Sequence, residues 1–387
     1  AVNVGFPHPS QLLLDLNPLV LDRLLTVTYP TNEVVTNTYN GRGLAYGVSG
    51  SVAGSLVSST LYNQLGQVTR INLGNSTYST FTYYGLDNTS GYYGKPWQTK
   101  TTKTTAGDRQ SLTYTWDANG NMTQRQNAVS SETETFTYDF LDRLTAVSGA
   151  YSNSFSYSTI GNITSKNGTS YTYGAKPHAV TAVGSTTYAY DANGNMTTRG
   201  TQTLTWDVEN RLVGVTGGGA TMSAVYDGND NRVKGTDGGA TVLYINQFYE
   251  KNLTTGVVTT HYYLGGKEVA YRKGSTIEYV CQDHLGSTSV TTDTSGNVVA
   301  TIAYFPFGAT RTSSGTLNTD KEFTGQRLDQ TGLYFYNARY YDATIGRFAS
   351  ADTATPDYKN PQDLNPYTYC LNNPLKYTDP TGHSVKS

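Results

Sequence analysis

Along most of the chain, apolar and polar residues alternate with a period of two over short runs, and each run stops at a cluster of Gly, Asn and Asp. Thr133-Glu-Thr-Phe-Thr-Tyr138 and Arg143-Leu-Thr-Ala-Val147 are two such runs with a turn between them. This alternation predicts half-buried β-strands and argues against helices. The runs end in a recurring phrase, Tyr-Asp or Trp-Asp followed by a turn. It reads Trp116-Asp117-Ala-Asn-Gly-Asn-Met-Thr, Tyr138-Asp139-Phe-Leu-Asp-Arg-Leu-Thr, Tyr190-Asp191-Ala-Asn-Gly-Asn-Met-Thr, Trp206-Asp207-Val-Glu-Asn-Arg-Leu-Val and Tyr226-Asp227-Gly-Asn-Asp-Asn-Arg-Val. Weaker copies start at Tyr157 and Tyr173, and earlier ones at Tyr39-Asn40 and Tyr62-Asn63. The anchoring aromatics at 116, 138, 157, 173, 190, 206 and 226 lie about 16 to 22 residues apart, a period that marks a stacked repeat architecture. Asn-Gly at 119–120 and 193–194 predicts type I′ hairpin turns. One hairpin cannot bury its apolar face alone, so neighbours must pair edge to edge. The expected fold is all-β, a spiralling strip of antiparallel hairpins forming a hollow or open shell.

Three zones follow from the spacing. Residues 1–40 are weakly patterned and read as an N-terminal lead-in or cap, 41–270 as the hairpin array, and 271–387 as a specialised end piece. In the last zone Gln282-Asp-His-Leu-Gly-Ser-Thr288, Tyr304-Phe-Pro-Phe-Gly308 and Phe323-Thr-Gly-Gln326 do not repeat, and Pro recurs at 356, 361, 366, 374 and 380.

Composition agrees with strands and tight turns. Charged residues are 14% of the chain, against about 25% in typical soluble domains, and Thr, Ser, Asn and Gly take their place. The formal charge of −2 gives no general attraction to nucleic acid or anionic lipid. No long apolar span is present. The Leu-rich stretch 12–25 carries Asp15, Asp22, Arg23 and Pro18 and lacks a basic leader, so it reads as neither signal peptide nor spanning helix. The chain opens on Ala1, which suggests a processed or truncated product. Cys281 and Cys370 are too few for a disulfide framework; they pair with each other or stay as buried thiols.

These repeats resemble the YD-repeat or Rhs family, which includes the C subunits of insecticidal toxin complexes and the shell region of teneurins. The end piece is similar to the Rhs repeat-associated core domain. It carries in order Asp283-His-Leu-Gly-Ser-Thr288, Tyr304-Phe-Pro-Phe-Gly308, Gly325-Gln-Arg-Leu-Asp-Gln-Thr-Gly-Leu-Tyr334, Asn337-Ala-Arg-Tyr-Tyr-Asp342, Gly346-Arg-Phe348, Ser350-Ala-Asp352, Asn365-Pro-Tyr-Thr-Tyr369, Asn372-Asn-Pro374 and Asp379-Pro-Thr-Gly382. The resemblance implies a strip of hairpins wound into a shell with the core domain curling inside as an end plug. It also implies a shell that encloses a C-terminal toxin or effector polypeptide, and a core domain that acts as an aspartyl autoprotease, cutting just after its last Asp-Pro-x-Gly-Leu element.

The residues suit that role. Two neighbouring carboxylates can share one proton, so that one accepts a proton from water while the other protonates the leaving amide. Asp352 and Asp379 are the expected pair, with Arg339 holding a carboxylate ionised or oriented; Asp342 is a weaker substitute. Asp before Pro or within a turn is also an ordinary turn-former. Where the family usually has Leu after Asp-Pro-x-Gly, this chain has His383, and only Ser384-Val-Lys-Ser387 follows. Either the chain is cut near the junction, or this member ends there and never cleaves.

Other constellations read as structure. The Asp-x-Asn-Gly-Asn turns at 117–121 and 191–195 lack the Gly and Glu positions of a calcium loop. Cys281-Gln-Asp-His284 has no second Cys/His pair for zinc and reads as a packed turn. Asn-x-Ser/Thr triplets at Asn75, Asn88, Asn121, Asn162, Asn167, Asn195 and Asn252 arise largely from the repeat phrase, and would carry sugars only on an exposed face. Tyr and Trp serve packing before glycan stacking.

No cofactor or metal is expected, nor any external substrate. The leading reading is a secreted or cell-surface shell around a C-terminal toxin or effector peptide, or completed by a capping protein. Its rival is a non-catalytic extracellular structural or adhesive protein that assembles through strand edges or binds glycans.

Overall fold

The computed structural model describes residues 23–85, 92–354, 359–383, 385 and 386. The Leu-rich stretch up to residue 22, the triplet at Asn88, and Ser384 lie outside the described residues. The alternating runs form one sheet of twenty-nine described strands, from β1 (Thr26–Thr28) to β29 (Thr310–Gly315). Strands pair antiparallel in chain order, as at Phe136↔Val147 within a hairpin and Ala146↔Ser154 between hairpins. The sheet is not closed into a barrel, and its ladder runs on without a break past residue 270 to Gly315.

The Tyr-Asp phrase has a distinct job at each position. The aromatic sits where the register shifts, as between Thr137 and Tyr138 or Ser156 and Tyr157. Its polar tip donates to the carbonyl that opens the second strand of the preceding repeat. Tyr138 reaches Met122 O at 2.7 Å, Tyr157 reaches Leu144 O at 2.6 Å, Tyr173 reaches Ile163 O at 2.7 Å and Tyr226 reaches Leu212 O at 2.8 Å. The indole N–H groups of Trp116 and Trp206 do the same to Pro96 O and Met196 O, both at 2.7 Å. The following Asp accepts backbone N–H groups from inside its own turn, as Asp139 does from Leu141 and Arg143, both at 3.0 Å.

The expected type I′ turns are not formed. Gly120 N–H donates to Asp117 O at 2.9 Å, and φ is positive at Gly120 (77°) but not at Asn119. This is a three-residue loop closed by a left-handed residue. The Asp carboxylate makes the difference, because it satisfies the N–H of Asn121 at 2.8 Å and so favours the longer loop. Copies without Gly at this position place Asp142 (59°), Asn210 (64°) or Asp230 (63°) there, the residue types that tolerate the left-handed region best.

Alternation sends one face of the strip into two cores. In the first, Val27, Val48, Leu56 and Ile71 from the early strands pack against Tyr249, Tyr262, Leu264 and Val269 from later ones. Polar contacts seal this closure: Glu33 pairs with Arg272 Nη2 at 2.5 Å, and Asn75 Nδ2 donates to Thr292 Oγ1 at 2.9 Å. In the second core, the faces of the strands between Leu112 and Ala224 close around a C-terminal segment. That segment holds a small antiparallel sheet of β30 (Arg327–Leu328), β31 (Tyr334–Tyr336), β32 (Arg339–Asp342) and β33 (Arg347–Phe348). Tyr336, Tyr341, Phe348 and Tyr369 form its aromatic centre, with Tyr341 and Tyr369 4.4 Å apart.

The segment is seated on the row of repeat turns. Asn373 Nδ2 donates to Asn121 Oδ1 at 2.8 Å, Asn365 Nδ2 to Asn162 Oδ1 at 2.9 Å, and Tyr367 Oη to Gly194 O at 2.7 Å. Asn121, Asn162 and Asn195 are therefore buried, and their triplets do not present acceptors for sugar. Cys281 and Cys370 are both free and buried.

Candidate functional site

The tight hairpin between β31 and β32 turns at Asn337, which adopts a positive φ of 61°, and this places Arg339 at the start of β32. The Arg339 side chain is buried over the Phe348 ring, 3.6 Å from its centroid. Burial lowers the guanidinium's affinity for its proton, and the adjacent carboxylates work against that.

Every donor of this guanidinium that faces the segment has a purpose. Nη2 meets Asp352 Oδ2 at 2.8 Å and Asp379 Oδ2 at 3.4 Å. Nη1 donates to Pro366 O at 2.9 Å, and Nε donates to the carbonyl of Gly382. The three residues expected from the sequence, Arg339, Asp352 and Asp379, are thus brought together, and the two carboxylates meet at a single nitrogen.

The carboxylates differ in surroundings. Asp379 opens the Asp-Pro-Thr-Gly turn, is buried, and accepts from Gly382 N at 2.9 Å. Gly382 has φ of 81°, and a Cβ there would lie 2.5 Å from Tyr336 O, so this position requires Gly. The turn is pinned to the β31–β32 hairpin by Asn337 Nδ2 on Pro380 O at 2.9 Å and Ala338 N on Thr381 O at 3.1 Å. Asp352 is held by its own backbone N–H on Pro366 O at 2.9 Å and by Ala354 N on its Oδ1 at 2.9 Å. Unlike Asp379, it faces a pocket of about 210 Å³.

Two features of this pocket escape sequence reasoning. His383 lines it, with Nδ1 2.7 Å from Asp352 Oδ1. Its opposite wall comes from repeat turns, with Asn195, Glu209, Arg211 and Asp230 facing the segment. Nothing in the repeat period singles out these turns; only the curvature of the strip brings them here.

Asp342 lies outside the cluster. It is fully buried, paired with Arg199 Nε at 2.5 Å, and accepts from Thr344 N at 2.9 Å. It ties the C-terminal segment to the strip. The Cys281–His284 stretch is packed structure as well. Burial pushes the Cys281 thiol up to about 11, which leaves it a poor nucleophile near neutrality. The His284 ring lies 4.8 Å from Tyr114, its Nε2 is 3.0 Å from Leu375 O, and burial lowers its proton affinity.

The family model of the teneurin YD-shell matches residues 88–375. Among curated proteins, the tRNA3(Ser)-specific nuclease WapA of Bacillus spizizenii is 28% identical over 252 residues, 60% of this chain and 11% of that protein. Toxin subunit YenC2 of Yersinia entomophaga is 38% identical over 102 residues, 25% of this chain and 10% of that protein. The chain therefore spans about a tenth of the length of these relatives. Among solved structures, a chain of the Photorhabdus luminescens Tc holotoxin pore superposes with a TM-score of 0.82 at 20% identity, over 93% of this chain and 21% of that one. That likeness is one of fold.

Proposed function

The chain belongs to the teneurin YD-shell family, and from that premise we propose that it is the closing part of a secreted or cell-surface shell around a toxin or effector polypeptide, and that its C-terminal segment, an Rhs-type core domain, cuts the chain after His383. The observation that carries the second half is the Arg339 cluster. One buried guanidinium holds Asp352, Asp379 and the Gly382 carbonyl, so both carboxylates are fixed beside the turn that precedes the cut. The names of the relatives, a nuclease and a toxin subunit, support the toxin-linked role.

In this reading water in the pocket gives a proton to Asp352 as its oxygen adds to the carbonyl of residue 383. Asp379, protonated, supplies the proton for the leaving nitrogen. The C–N bond breaks, leaving a carboxylic acid on His383 that gives its proton to the new amine of Ser384, and the pair returns to one shared proton. Arg339 holds the two carboxyl groups with their one proton beside each other and orients both.

Intact-mass measurement of a chain extended past Ser387 tests the cut. The unmodified sequence should give two fragments separated after His383, and Asp352→Asn a single uncut mass. One uncut mass for both chains would remove the autoprotease from the proposal and leave the shell.

A further inference from the structure

The His383 side chain takes no part in the steps above, yet among the described residues it makes the shortest polar contact to the Asp352 carboxylate. Asp352 Oδ1 accepts from Ala354 N at 2.9 Å and lies 2.7 Å from His383 Nδ1. Its other oxygen accepts from Arg339 Nη2 at 2.8 Å. A carboxylate oxygen offers two lone-pair positions, so Oδ1 is full while the imidazole is in place. Oδ2 already accepts from Arg339. The Oδ1 atom of the carboxylate that faces the pocket is thus closed to a water molecule by a side chain from the very residue that precedes the cut.

We propose that His383 is a latch on Asp352, holding the self-cleavage site closed until the imidazole swings away into the pocket it already lines; this rests on the self-cleavage reading above. The contact is strongest when the imidazole is charged, because it is then an ion pair as well as a hydrogen bond. The other charged groups around it are Arg339 and Asp379 from its own segment, and Glu209, Arg211 and Asp230 from the facing turns. Arg211 is bound to Asp207 and Asp230 at 2.8 and 3.0 Å and to Glu209, so among the described residues the facing wall carries no uncommitted cation to compete for Asp352.

The test compares cleavage rates of the extended chain with its His383→Leu and His383→Phe variants, by intact mass. Both variants should be cut about tenfold faster, the factor a hydrogen bond to a charged group typically supplies. A gain for His383→Leu alone would mark a simple preference for Leu before the cut and overturn the latch. An equal or slower rate for His383→Leu would overturn it too, with self-cleavage left standing. If no chain is cut, latch and cleavage fall together. A second reading needs no cleavage: at one fixed pH, Asp352→Asn should move the NMR signals of the His383 ring in the present sequence. Unmoved signals mean that the pair does not form, which also overturns the proposal.

Discussion

At Tyr138 the ring is packed against the second core while the hydroxyl donates to Met122 O at 2.7 Å. The carbonyl it reaches stands at the opening of a strand in the neighbouring repeat, beside a shift in register where the ladder leaves a gap. Replacing Tyr138 with Phe keeps the ring and orphans that carbonyl. The expected loss is about 1–2 kcal/mol, read as a lower midpoint in thermal or urea unfolding. Phe136 two positions earlier faces the same core without a polar tip, and its neighbours tolerate that because no carbonyl is waiting for it. The aromatic of the phrase is therefore chosen for its edge as much as for its bulk, and Trp116 and Trp206 satisfy the same need with an indole N–H.

At the scale of the element, the turn is what the C-terminal segment reads. Asn121 donates to Asp117 Oδ2 at 2.9 Å and to Asp142 Oδ1 at 2.8 Å, while its own oxygen accepts from Asn373. Asn121→Asp would set a third carboxylate against two and remove both donations. It should destabilise by roughly 1–3 kcal/mol and speed hydrogen exchange in residues 365–377 more than in the strip itself. The sequence period was enough to place strands, turns and their order, because alternation and turn residues are local signals. The turn type was not legible: Asn-Gly alone favours the tighter loop, and the Asp side chain that overrides it acts through an N–H four residues on. The Arg339, Asp352 and Asp379 cluster was legible only through the ordered motifs of the end piece. The His383 contact and the wall of Asn195, Glu209 and Arg211 were not, since both depend on how far the strip curls before it meets its own end.

For the molecule as a whole, ion pairs between distant strands hold the curl. Arg311 on β29 binds Glu132 through Nη1 and Nη2 at 2.8 and 2.9 Å, fastening the last strand of the strip across to the middle of the array. These bonds hold the Glu132 carboxyl down from its ordinary 4.5 to about 2. Glu268 is also brought to about 2, with Lys321 and His261 outweighing the opposing effect of burial. Depressed carboxylates stabilise above their unfolded value and lose that contribution as pH falls through the folded one. Unfolding midpoints should therefore be flat above about pH 4.5, where only these groups are considered, and fall as pH drops toward about 2. Arg311→Gln should flatten part of that acid limb, checked by urea midpoints measured across pH.

The bond from Trp116, Tyr138, Tyr157, Tyr173, Trp206 and Tyr226 to the carbonyl of the repeat before gives the strip a direction of assembly. A chain made from its N-terminal end presents each repeat unsealed until the next Tyr or Trp has been synthesised and folded back. Trimming the two ends is consequently unequal. Loss of a repeat from the C-terminal side uncovers a carbonyl in what remains, as Met122 O would be without Tyr138, while loss from the N-terminal side leaves only a hydroxyl that water can reach.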